Sequence, residues 1–205
     1  MALEQEIKLV VIVESKLNLS VLDSVVEKST ATVETRQLIS RYFDDSDLAL
    51  LKQGLGLRRR FNGQTWLQTV KETGRANDGL HERNEWEHVL ERDEFDFELL
   101  QQTPLIKAVE NESALAKLQA VFTTDFSREH WLLDLSEQTH IELAYDFGHV
   151  YTDSRKAVIH EIELELKSGS VDEVKHFAEL LLEQLPLQYS DISKAQRGYE
   201  LFIEQ

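Results

Sequence analysis

The sequence predicts a mainly β protein of the α+β class: an eight-stranded antiparallel sheet closed into a barrel, or tunnel, with a polar charged lumen and helices packed outside. Three observations lead there. Charged residues recur at every second position within segments rich in Thr, Val, Ile and Leu, which is the period of a strand and not of a helix. Turn signals separate these segments at short intervals, while sustained helical spacing is confined to short stretches and the C-terminal quarter. A small barrel usually fills its interior with apolar side chains. Here the charged alternates face inward if the apolar alternates are to be covered by helices, and that inversion implies a passage filled with water and ligand.

Residues 3 to 14 open the chain as a strand, with Glu4, Glu6 and Lys8 on one face and Ile7 and Leu9 on the other. Leu19, Leu22, Val25 and Val26 predict a helix over 18–28 with Ser20 as its cap. Residues 30–43 read as strand, and Asp44-Asp45-Ser46-Asp47 as a turn capping a short helix over 48–53. Asn62-Gly63, between strands 57–61 and 64–71, is the strongest hairpin signal in the chain. A polar turn over 73–79 precedes a strand over 81–90, and 93–117 is helical or irregular. Strands are expected over 118–125, 128–135, 140–151 and 157–167, with turns at 136–139 and 146–148. Helices over 171–185 and 193–203 close the chain.

With two prolines, no Gly/Ser-rich linker and 205 residues, residues 1–205 read as one domain. No run of about 18 apolar residues is present, so no membrane-spanning helix is expected. The charged N-terminus has no apolar signal-peptide region and the chain has no cysteine, so a cytoplasmic location is expected. The formal net charge of −16 argues against nucleic-acid binding through a broad basic surface.

The candidate site rests on charge patterning. Glu161, Glu163, Glu165 and Lys167 share one strand face, as Glu4, Glu6 and Lys8 do. Five carboxylates on two such faces repel unless a cation lies between them, and a hard divalent metal prefers oxygen ligands. Basic residues alternate too: Arg58 with Arg60, Thr69 with Lys71, and Arg83 with Glu85, while Arg59 points away. Arginine pairs two phosphate oxygens with its planar fork and lysine supplies a point charge, so the pattern suits a ligand with several phosphates plus a metal. The seven histidines show no metal-ligand spacing and the three tryptophans read as outer-face core. There is no Walker-type loop, nucleophile elbow or dinucleotide fingerprint.

In order along the chain these segments resemble the CYTH superfamily, the triphosphate tunnel metalloenzymes. The resemblance is carried by Glu4-x-Glu6-x-Lys8, Tyr42-Phe43-Asp44-Asp45, Gly56-Leu57-Arg58-Arg59-Arg60, Thr69-Val70-Lys71, Arg83-Asn84-Glu85, residues 124–131, residues 141–148, Glu161–Glu165 and Ser193–Tyr199. The late motifs look most like the bacterial inorganic triphosphatases. That resemblance implies hydrolysis of a triphosphate, tripolyphosphate above all, with Mg²⁺ or Mn²⁺. It implies metal ligands or holders of metal-bound water at Glu4, Glu6, Glu161, Glu163 and Glu165, supported by Asp146. It implies phosphate contacts at Lys8, Arg58, Arg60, Lys71, Arg83, Arg128 and Lys194. Glu4, Glu6, Glu163 and Lys194 are the candidate catalytic residues, with Lys194 open between phosphate ligand and proton donor. The partner expected is a small-molecule triphosphate, and the resemblance allows a C-terminal CHAD-type domain in a longer parent protein. A class IV adenylate cyclase, a thiamine triphosphatase and a non-enzymatic polyphosphate-binding module are the alternatives. Two departures from the family pattern are Arg59, where an apolar residue is common, and Asp45, where Thr is common.

Overall fold

A computed structural model describes residues 2–204. Its strands are β1 (Ala2–Val11), β2 (Glu34–Asp44), β3 (Leu55–Phe61), β4 (Trp66–Glu72), β5 (Arg75–Asn77), β6 (Leu80–Leu90), β7 (Gln119–Asp134), β8 (His140–Tyr151), β9 (Lys156–Ser168) and β10 (Leu187–Tyr189). Eight of them form an antiparallel barrel in the order β1-β9-β8-β7-β2-β3-β4-β6, and it closes because β1 pairs with β9 on one edge and β6 on the other. Closure leaves no unpaired edge within the barrel. β5 and β10 are short additions to β6 and β1.

Local chemistry accounts for the turns. The Asn62 side chain accepts from the backbone N–H groups of Gln64 and Thr65, and Gly63 supplies the positive φ that the β3–β4 hairpin requires. Asp44 accepts from the N–H groups of Leu50 and Leu51 and Asp45 from that of Ala49, so the two aspartates satisfy the start of α2 (Ala49–Lys52).

Several expectations are corrected. The helix expected over 18–28 is a 3-10 turn at Leu19–Val21 followed by one turn, α1 (Asp23–Val26), and Asn18, not Ser20, accepts the capping bond. The expected strands over 118–125 and 128–135 are one continuous strand, β7, because β2 and β8 pair along its whole length. Residues 146–148 are not a turn. They run through the middle of β8, where Gly148 lets β7 approach so closely that a Cβ would overlap Phe126. The polar turn over 73–79 contains β5. The segment 93–117 holds α3 (Phe97–Leu100), a 3-10 turn at Pro104–Lys107 and α4 (Glu112–Leu115).

Strand alternation sorts the side chains into three clusters. On one outer flank Ile7, Leu9, Leu143, Tyr145, Ile162 and Leu164 pack under Val174, Phe177 and Leu181 of α5 (Val171–Gln184), with Trp131 among them. On another flank Phe43, Leu57 and Val70 are covered by Leu50 of α2 and by Leu100, Leu105 and Val109, with Trp86 alongside. Trp66 tilts against Phe61. The third cluster departs from the expectation of helices outside only. Leu38, Tyr42, Phe122, Phe126, Val150 and Ile159 project from inward positions and pack on Tyr199 and Ala195 of α6 (Lys194–Ile203), which stops one end of the barrel. Gly198 makes the fit possible, since a Cβ there would overlap the Phe122 ring.

Candidate functional site: a charged lumen

Above α6 the barrel encloses a cavity of about 550 Å³, walled by charged side chains from seven of the eight barrel strands, by Tyr42 of β2, and by Ser193, Lys194 and Ala195 of the α6 end. Cross-strand register puts acid opposite base around the wall. Glu4 faces Arg83, Lys8 faces Glu163, Lys71 faces Glu85 and Arg128 faces Asp146. Exposure rises from floor to rim: the Asp146 and Glu161 side chains are 0% exposed, Glu163 12%, Glu165 30% and Lys167 42%.

At the floor, Lys194 Nζ lies 2.7 Å from Asp146, 2.5 Å from Glu161 and 2.8 Å from Glu163. Lys8 reaches the same Glu161 at 3.0 Å and also pairs with Glu163. Arg128 grips Asp146 through two nitrogens at 2.7 Å each and reaches Glu163 at 2.6 Å. Arg197 holds the other Glu161 oxygen at 3.2 Å. Burial works to raise the Glu161 carboxyl, but Lys194 and Lys8 outweigh it and bring it down to about 2. Glu163 is lowered further below its ordinary value, with Lys194, Lys8 and Arg128 again overcoming burial. Burial lowers Lys194, yet Asp146, Glu161 and Glu163 raise it overall, so it is a standing cation at neutral pH.

The β1–β6 wall is a second group. Arg83 donates to Glu4 at 2.6 Å and to Glu6 at 3.1 Å, and Lys71 pairs with Glu4 at 3.2 Å and Glu85 at 2.6 Å. Burial opposes ionisation of Glu4, but Lys71 and Arg83 hold it below the carboxylate range. Arg58 donates to Thr69 Oγ1 and Glu87, leaving its Nε without a partner. Arg60 differs from its neighbours. Its Nε donates to Ser40 Oγ at 2.7 Å, and among the described residues no carboxylate pairs with it. Burial, with Arg58 and Arg128 adding to it, pushes its guanidinium down to about 10.

All thirteen sequence-predicted positions thus lie on the barrel's inward face or at the α6 start, but they do not form one cluster. Asp146, Glu161 and Glu163 have carboxylate oxygens within 4.8 Å of one another, the only such group found among the described residues. Glu4 and Glu6 are engaged by Arg83, and Glu165 by Lys167 at 2.7 Å near the rim. The all-oxygen trio matches a hard divalent cation in its donor chemistry. Arg59 points outward, as expected, and its guanidinium lies over the Phe43 and Phe95 rings.

Sequence reasoning missed Tyr42, Glu87, Glu142 and Arg197. Glu87 continues the Arg83, Glu85 alternation and Arg197 sits three residues after Lys194, so both had a legible signal. Glu142 pairs with Lys167 and His130, which bring it down to about 2 against its burial. Tyr42 stacks on Phe122 at 4.5 Å and lines the lumen. Burial would raise its phenol, but Arg58, Arg60, Lys71 and Lys194 lower it overall.

A closed antiparallel barrel stopped at one end by a helix, with carboxylates opposed to guanidinium and ammonium groups across its lumen, defines a class of charged β-tunnel proteins. The CYTH domain profile matches residues 2–199, and the chain belongs to the CYTH domain family. It is 31% identical over 206 residues to an inorganic triphosphatase of Haemophilus influenzae, covering 98% of this chain and 56% of that protein. The chain therefore spans little more than half the length of that relative. Among solved structures it is similar to a candidate adenylyl cyclase of Hippeastrum with a dominant triphosphatase activity (TM-score 0.63, 20% identity, 98% of this chain and 95% of that one). It is also similar to a candidate adenylate cyclase of Bacillus halodurans (TM-score 0.55, 21% identity, 96% and 98% covered). At these identities the two structures show the shared fold. No helix among the described residues is long and apolar enough to cross a membrane.

Proposed function

We propose that the chain is a divalent-metal-dependent triphosphatase acting on inorganic tripolyphosphate, with water breaking a P–O–P bridge to release pyrophosphate and phosphate. The observation that carries this reading is Arg60, a guanidinium set in the lumen wall with a hydroxyl but, among the described residues, no carboxylate paired to it. Such a cation is costly without an anion, and phosphate oxygens match its fork. Arg58, Lys71, Arg83 and Arg128 offer further donors along the same wall, so several phosphates can be held at once.

Asp146, Glu161 and Glu163 would hold Mg²⁺ or Mn²⁺, which supplies charge neutralisation to the phosphate chain. Glu163 is the member of that trio most open to the lumen, and we assign it to orienting water. Lys194, fixed by three carboxylates, supplies positive charge at the floor rather than a proton acceptor. Phosphoryl transfer asks mainly for positioning and charge stabilisation, which this wall provides.

The lining favours an inorganic substrate. Among its twenty residues, Leu3, Tyr42, Ala144 and Ala195 are the only ones that are neither charged nor serine, and Tyr42 is the single aromatic. A purine or thiazolium ring is usually held by a more apolar surface. Phosphate release from tripolyphosphate, ATP, thiamine triphosphate and pyrophosphate, each with Mg²⁺, Mn²⁺ or EDTA and with cyclic AMP measured alongside, tests the reading. Metal-dependent release from tripolyphosphate alone supports it. Cyclic AMP from ATP moves the chain to cyclase chemistry, and silence on every substrate leaves a polyphosphate-binding module.

A further inference from the structure

His81 lies outside every motif that led to the site. It is 5% exposed, sits opposite Glu6 in the β1–β6 ladder, and reaches across to the chain leading into α6. Its Nε2 is 2.9 Å from the Ser190 carbonyl oxygen. A carbonyl only accepts, so Nε2 carries the proton and donates. Two more bonds fasten the same segment: Ser190 N–H donates to the Lys8 carbonyl at 3.1 Å, and Gly79 N–H donates to the Asp191 carboxylate at 2.8 Å. The Gly79 carbonyl accepts in turn from Lys8 N–H at 2.9 Å. Gly79 has φ +79°, and a side chain there would overlap Tyr189. Three chain segments thus meet at one knot.

The knot stands just ahead of α6. Ser193 caps that helix by accepting from Gln196 N–H at 3.1 Å, and Lys194 is its first residue. Only three residues separate Ser190 from Lys194, so a displacement at the anchor has little chain in which to dissipate before it reaches Lys194. Lys8 belongs to the same knot through its backbone, and its ammonium shares Glu161 and Glu163 with that of Lys194. The anchor therefore sets both lysines against one pair of carboxylates.

We propose that His81 is a positioning residue for Lys194: its bond to Ser190 places the Lys194 ammonium among Asp146, Glu161 and Glu163 at the lumen floor. The role in turnover rests on the triphosphatase reading, whereas the placement of Lys194 does not. His81→Leu removes the donor and leaves the half-buried Ser190 carbonyl without it, and misplacement of a positioned group by about 1 Å costs on the order of 100-fold. The expected loss in kcat/KM for tripolyphosphate with Mg²⁺ is about 10- to 100-fold, partly restored in His81→Asn or His81→Gln, which keep a side-chain N–H.

The readout that a merely structural role would not move is a double-mutant cycle with Lys194→Ala. There, adding His81→Leu is expected to change kcat/KM less than about threefold, since the group it positions is gone. A second readout needs no activity: the rate at which acetic anhydride labels Lys194, followed by mass spectrometry, is expected to rise at least about fivefold in His81→Leu. Asp191→Ala, which cuts the Gly79 bond of the same anchor, is expected to raise it likewise and serves if His81→Leu does not fold. Labelling unchanged from the wild type in the folded variants, or a full multiplicative loss on the Lys194→Ala background, overturns the proposal. A wild-type protein inactive on every triphosphate overturns the triphosphatase reading instead, and labelling still decides the placement of Lys194.

Discussion

Arg60→Met separates a structural cation from an anion-binding one, because the two roles predict opposite signs for stability. Burial, reinforced by Arg58 and Arg128, takes the Arg60 guanidinium well below its ordinary value, down to about 10, which destabilises its charged form by up to about 3 kcal/mol. Water in the lumen screens part of that. The folded value lies below the unfolded one and both lie far above pH 7. The group is therefore charged in both states at neutral pH, and the whole destabilisation is present there. Methionine removes it, and leaves Ser40 Oγ without its donor at a cost of about 1 kcal/mol. The net expectation is a folded state more stable by about 1–2 kcal/mol, or a Tm higher by about 3–6 °C in a chain of this size. Function moves the other way. Loss of a two-pronged phosphate contact of about 2–4 kcal/mol lowers kcat/KM for tripolyphosphate about 30- to 1000-fold. Thermal unfolding at pH 7.5 with and without tripolyphosphate and Mg²⁺, together with initial rates, measures both. A Tm that falls while kcat/KM stays at the wild-type value would refute the reasoning, for Arg60 would then be holding the wall together.

Three further outcomes are expected. Glu163→Gln removes the carboxylate that Lys8, Arg128 and Lys194 share, and turnover is expected to fall about 100-fold or more with far-UV circular dichroism unchanged; near-wild-type turnover would remove Glu163 from the site. The carboxyls of Glu4, Glu161, Glu163 and Glu142 are all held below their unfolded value of 4.5, so the stability they contribute is present above pH 4.5 and lost as pH falls through about 2. Tm should therefore be nearly level from pH 8 to 5 and drop steeply below 4.5, and an onset above pH 6 would point to other groups. Gly198→Ala pushes a methyl into the Phe122 ring and is expected to destabilise the fold by about 1–3 kcal/mol, read as a lower midpoint in urea; a wild-type midpoint would mean α6 does not seat there.

The inward and outward faces of β1, β3, β4, β6 and β9 were legible in the sequence. A strand exposes alternate residues to opposite sides, so Glu4-x-Glu6-x-Lys8 or Arg58-x-Arg60 declares a shared face with no knowledge of its neighbours. The Asn62-Gly63 hairpin was legible for the same reason, since its geometry is satisfied within a few residues. β7 was split because a strand whose residues alternate imperfectly is indistinguishable from two strands until β2 and β8 are seen to pair along it. The helix expected over 18–28 shrank to two short turns for a related reason: helical spacing is a weak preference beside packing against the outer face of β1 and β7.

The grouping of the acids was beyond the sequence. Glu4, Glu6, Glu161, Glu163 and Glu165 read as one set because identity and spacing treat them alike, yet Arg83 takes the first two, Lys167 the last, and Asp146 joins Glu161 and Glu163. Those partnerships depend on register and barrel tilt, which arise when β1 closes on both β9 and β6. The position of α6 is of the same kind. Its apolar stripe announces that it must be buried, but an outer flank and the end of the barrel offer a similar surface. The tertiary structure decides between them through Gly198 against Phe122, Tyr199 donating to Asp44, and Lys194 among three carboxylates. The sequence by itself determined which faces are charged, because that is a property of neighbouring residues along one strand. Only the tertiary structure decided which charges meet, because that depends on strands brought together from 153 residues apart, as Lys8 and Glu161 are.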